Sequence, residues 1–102
     1  MNTEIYITVT GTAYRHGHEF VEPGMIFRLV KEPENEYDKE AIKVEMKPIG
    51  KIGYVANSPR TVVGECYSAG RLYDKIGDFA EAEVMLKLDE AVICKVLERQ
   101  SK

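Results

Sequence analysis

Apolar residues in this 102-residue chain recur at every second position in short runs, and that spacing narrows the fold more than any other feature. Glu4 to Thr10 (E-I-Y-I-T-V-T) sets Ile5, Ile7 and Val9 on one face and Tyr6, Thr8 and Thr10 on the other. A strand is expected there, stopping at Gly11. Arg15 to Glu19 reads as a polar loop, Pro23-Gly24 as a turn, and Met25 to Lys31 (M-I-F-R-L-V-K) as a second strand. Glu32 to Lys39 (E-P-E-N-E-Y-D-K) is too rich in turn formers to extend a strand or begin a helix, so a structured loop is expected. Ala41 to Met46 alternates again. After a turn around Pro48 to Gly50, Lys51 to Val55 completes an expected hairpin.

Ser58-Pro59 has the form of a helix start, with serine as the cap and proline at the first helical position. Val62, Val63, Cys66 and Tyr67 then share one face, which predicts a helix ending near Gly70, followed by a weaker strand candidate over Arg71 to Gly77. Two signals compete from Phe79 to Arg99. Its alanine, glutamate, leucine and lysine favour helix. Its spacing does not: Val84, Leu86 and Leu88 alternate, Val92, Cys94 and Val96 alternate, and Asp89-Glu90 lies between them. Spacing is the stronger argument, and two antiparallel strands are expected, with a short tail after residue 99.

Apolar residues at 44% and charged residues at 30% describe a globular chain, and the length suits one domain spanning residues 1–102 around one core. The net charge of -3 argues against a protein that coats a nucleic-acid backbone, which would concentrate lysine and arginine. Any nucleic-acid contact is expected to be local. Met1 to Gly11 shows no basic stretch followed by a long apolar run, and no segment approaches the roughly 20 apolar residues of a membrane span, so a cytoplasmic location away from membranes is expected. Cys66 and Cys94 are too few for a disulfide framework; both are expected as ordinary core thiols.

One order of features is more specific. Lys31, Pro33, Asn35, Tyr37, Asp38, Ala41, Ile42 and Val44 stand at fixed intervals, followed after a short turn by Ile52, Gly53, Tyr54 and Val55. This order resembles the HIRAN family over roughly residues 5 to 75. The resemblance implies a mainly β (α+β) fold: a small OB-like or SH3-like barrel of about six strands with one or two short helices. It implies a module that holds the 3′-hydroxyl end of single-stranded DNA, in DNA repair or the damage response, with no catalytic residues and no cofactor. By position, Tyr14 and Tyr37 match the two aromatics that sandwich the terminal base, Asp38 the carboxylate that accepts from the 3′-hydroxyl, and Asn35 a polar neighbour of the sugar. Family members of this kind sit beside helicase-like motors, so a helicase or nuclease is the expected protein partner. This sequence carries no Walker-type phosphate loop.

Three positions depart from the basic residues common in DNA-binding members: Ala13, Ala56 and Asn57. Arg15, Lys31, Lys39 and Arg60 are then the candidates for phosphate contacts. The thinned charge keeps an alternative in view, a protein-interaction or scaffolding module with the same barrel. Other chemistries find less support. His16, His18 and Glu19 form an H-x-H-E cluster, but a closed zinc site takes four ligands and no cysteine lies near them in sequence. Neither cysteine has a base at recognisable spacing, and the acidic run Glu32 to Glu40 reads as a solvated loop face rather than a magnesium site.

Overall fold

A computed structural model describes residues 4–12 and 18–97. Its strands are β1 (Tyr6–Thr10), β2 (Ile26–Lys31), β3 (Ile42–Met46), β4 (Gly50–Val55), β5 (Phe79–Lys87) and β6 (Ala91–Val96), with one short helix, α1 (Ala69–Tyr73). They close into an antiparallel barrel in the order β1-β4-β3-β2-β5-β6. Closure leaves no open sheet edge. The expected alternation is what fills it: Ile7, Val9, Phe27, Leu29, Ile42, Val44, Ile52, Val92 and Cys94 are all fully buried in one core. Burial pushes the Cys94 thiol up to about 12, with nearby Cys66 adding to the effect. Among the described residues no helix is long and apolar enough to cross a membrane.

β1 meets β4 over only two pairs, Val9↔Val55 and Thr10↔Tyr54, and the two backbones come very close at Gly53. A Cβ on Gly53 would overlap the Thr10 carbonyl oxygen and stand 3.3 Å from the carbonyl carbon, so only glycine allows this approach. Further along β1 the partners come from the following segment. Ala56 N–H donates to Thr8 O, Val63 N–H to the buried Thr8 hydroxyl, and Tyr67 N–H to Tyr6 O.

That use of residues 56–67 explains where the helix expectation fails. Ser58-Pro59 does cap a turn, with Ser58 O accepting from Thr61 and Val62 and its hydroxyl from Arg60 N–H. The turn does not propagate: β-branched Thr61, Val62 and Val63 are poor helix formers, Val63 is drawn onto β1, and Gly64 turns left-handed at φ 56°. Cys66 is accordingly half-buried in a turn rather than set on an apolar helix face. The helix starts later, at Ser68, whose hydroxyl accepts from Arg71 N–H, and it occupies part of the Arg71–Gly77 stretch read from sequence as a strand.

The two C-terminal strands form as the alternation predicts, with one correction. The register shifts between Val84 and Leu86, and Met85 is the extra residue. A bulge of this kind reverses the alternation, so Leu86 pairs with Ile93 and stands 53% exposed instead of joining Val84 inside. Two members of the H-x-H-E cluster, His18 and Glu19, lie among the described residues. His18 begins a 3-10 turn (His18–Phe20), where its Nε2 donates to Leu88 O and its Nδ1 is hydrogen-bonded to the buried Thr12 hydroxyl. The Nε2 bond therefore ties this turn to the β5–β6 hairpin, and the Nδ1 bond ties it to the segment that follows β1. His16 lies outside the described residues.

Candidate nucleic-acid interface

The loop between β2 and β3 is pinched at its base, where Glu32 N–H donates to Ala41 O. Asn35 organises its interior. The Asn35 Oδ1 accepts from the backbone N–H groups of Tyr37 and Asp38, at 2.8 and 3.0 Å, an Asx turn of the type this side chain favours. Its Nδ2 donates to Glu32 Oε1, which also accepts from the Tyr54 hydroxyl at 2.8 Å. Partial burial pushes the Glu32 carboxyl up, but the hydrogen bonds from Asn35 and Tyr54 and the charges of Lys51 and Lys43 outweigh it and leave the group below its ordinary range. The loop is thus fixed through an ionised carboxylate to the barrel wall.

Two side chains project from this frame. Tyr37 is 89% exposed, an aromatic ring held by its backbone and left without a partner of its own among the described residues. Asp38 is held at both carboxylate oxygens: Oδ1 accepts from Glu40 N–H at 2.9 Å and Oδ2 from Asn57 Nδ2 at 3.0 Å. Both line an open groove of about 670 Å³ with Asn35, Lys51, Tyr54 and Asn57, and with Thr10, Ala56 and Thr61. That volume lies in the range of small-ligand clefts.

The groove contains residues that sequence spacing did not pick out. Lys51 and Tyr54 are three apart, an odd interval that puts side chains on opposite faces of a regular strand. The register shift opposite Val44 and Glu45 makes Ile52 an extra residue, and Lys51 and Tyr54 come to the same side, with Lys51 Nζ donating to the Tyr54 hydroxyl at 3.2 Å. Lys51 is the one cation among the described residues lining the groove. The basic residues expected at phosphates are placed otherwise. Lys31 donates to Ile76 O and lies 4.4 Å from the centre of the Tyr73 ring. Lys39 and Arg60 are exposed and do not line the groove. Tyr14 and Arg15, like Ala13, lie outside the described residues.

An exposed aromatic, a carboxylate fixed at both oxygens and a single lysine thus surround one groove, and a family model described as the HIRAN domain matches residues 2–71. The chain belongs to the HIRAN domain family. The match runs from the segment before β1 into α1, while β5 and β6, outside it, close the HIRAN barrel. No curated protein and no solved structure matches the chain. The HIRAN domain is a single-stranded-DNA 3′-end binding module and not by itself a catalytic one, so nucleic-acid binding follows from the family.

Proposed function

We propose that this HIRAN domain holds the 3′-hydroxyl end of single-stranded DNA in the groove between the Asn35–Asp38 loop and β4. Tyr37 stacks on the terminal base, with Tyr14 as the opposing ring. Asp38 accepts a hydrogen bond from the 3′-hydroxyl, and Asn35 holds the loop in the shape that presents both. Lys51, beside the Tyr54 hydroxyl, meets the first phosphate, and Arg15, Lys39 and Arg60 reach later ones. An ionised carboxylate has only acceptors to offer, so a hydroxyl is welcomed where a phosphate or a continuing strand is repelled. The observation that carries the reading is the exposure of Tyr37 at 89% on a loop fixed by three side chains, Asn35, Glu32 and Tyr54. A ring left in solvent on a rigid support contributes little to the fold and is available to a base. In the cell the domain would act in DNA repair, beside a helicase or nuclease.

A labelled single strand titrated with wild type and Tyr37→Ala tests this. Base stacking on one ring contributes about 1–3 kcal/mol, so the variant's affinity falls by roughly five- to 150-fold, with thermal stability unchanged. Equal affinity for wild type and variant would overturn the stacking role. The shortage of cations in the groove favours one second reading, a protein-interaction module, for which neither protein binds the strand even at low salt.

A further inference from the structure

Asn57 stands just after β4, and its carboxamide bridges two elements that are far from each other in sequence. Its Oδ1 accepts from Gly70 N–H in α1 at 2.8 Å. A backbone N–H can only donate, so the orientation of the amide is fixed and its NH2 group must face the loop. There Nδ2 donates to Asp38 Oδ2 at 3.0 Å and approaches Glu40 Oε1 at 3.5 Å. The other Asp38 oxygen is held from within its own loop by Glu40 N–H. Asn57 is therefore the contact that ties the Asp38 carboxylate to the barrel side of the groove, and the terminal torsion of an aspartate, broad when unsupported, is fixed by it.

The chemistry of the contact matters as much as its geometry. A lysine or arginine at this position would also hold Asp38, but it would cancel the carboxylate's charge and offer a cation to any phosphate nearby. An amide holds the carboxylate and leaves its charge in place. From this we infer that Asn57 is a positioning residue for Asp38 that makes the site selective for a terminal hydroxyl over a terminal phosphate, at the expense of overall affinity. The inference rests on the reading of Asp38 as the group that meets the 3′-hydroxyl.

The test measures affinity of wild type, Asn57→Leu and Asn57→Lys for one short strand ending in a 3′-hydroxyl and for the same strand ending in a 3′-phosphate. Asn57→Leu keeps the branched outline of the side chain and removes both the donor to Asp38 and the acceptor for Gly70 N–H. The hydroxyl-ended strand is expected to weaken by about tenfold, the range of one hydrogen bond to a charged group, while the phosphate-ended strand is unaffected. Asn57→Lys is expected to strengthen the phosphate-ended strand by about tenfold and so to erase most of the preference. A purely structural role for Asn57 would weaken both strands equally and leave their ratio at the wild-type value. Variants that keep the wild-type ratio overturn the inference, and should Asn57→Leu fail to fold, Asn57→Lys decides alone. A wild type with no preference for the hydroxyl overturns instead the reading of Asp38 on which the inference stands.

Discussion

Replacing Gly53 by alanine puts a methyl group into the seam between β1 and β4. The new Cβ would overlap the Thr10 carbonyl oxygen, with the carbonyl carbon at 3.3 Å and Thr12 Cγ2 at 3.4 Å. Two of these three neighbours are backbone, so no side-chain rotation relieves the clash; β1 has to move. Moving it breaks or lengthens the pairs Val9↔Val55 and Thr10↔Tyr54, and it shifts Thr10 and Tyr54, which both line the groove. Overpacking a tight interior typically costs about 1–3 kcal/mol, and a backbone neighbour puts this site at the upper end, about 3 kcal/mol. For a domain of this size that lowers Tm by roughly 12–24 °C. The reference is Gly50→Ala: Gly50 has φ 93°, and its Cβ would meet nothing within 4 Å, so it suffers only the left-handed backbone penalty of about 1–2 kcal/mol. Urea unfolding followed by far-ultraviolet circular dichroism measures both. The reasoning is refuted if Gly53→Ala is no less stable than Gly50→Ala.

Two more perturbations follow from the site. Lys51→Ala is expected to weaken strand binding and to make the slope of log affinity against log salt shallower by about 0.7, the loss of one phosphate contact on a single strand; an unchanged slope would remove Lys51 from the interface. Glu32 has its folded-state pKa below the ordinary 4.5, so its contribution to stability is present above that value and is lost as pH falls through the depressed folded value. Glu32→Gln is therefore expected to destabilise the domain at pH 7 and to lose less stability than wild type between pH 5 and pH 3. Parallel acid limbs in the two proteins would show that the carboxylate is not what fixes the loop.

Much of the barrel is legible in the sequence because one face of each strand is buried, and burial imposes the period-two pattern. In β5 and β6 that pattern prevails over residue types that favour helix, since side-chain burial outweighs local propensity. The pattern misleads where the register breaks. Leu86 alternates with Val84 in sequence but turns outward after the extra residue Met85, and Lys51 joins Tyr54 only because Ile52 is inserted between them. Bulges leave no mark in the order of apolar residues. The helix is misplaced for a related reason: Ser58-Pro59 and Ser68 are both serviceable caps, and what decides between them is the claim of β1 on Val63 and Tyr67, a contact between distant parts of the chain. In the candidate site, Asn35, Tyr37 and Asp38 were visible as a turn with an aromatic and a carboxylate. Asn57 stands out in the sequence only as a position without a cation, and its contacts lie with partners 19 and 13 residues away.

Fluorescence anisotropy at about 50 mM salt, where electrostatic contacts are strongest, bears most directly on the function. Wild type and Asp38→Ala are titrated against a short single strand with a 3′-hydroxyl, the same strand with a 3′-phosphate, and a blunt duplex. Wild type is expected to bind the hydroxyl-ended strand at least about tenfold more tightly than the other two, and Asp38→Ala to lose that preference. Equal, feeble binding of wild type to all three would contradict the account and point to a protein as the ligand of this groove.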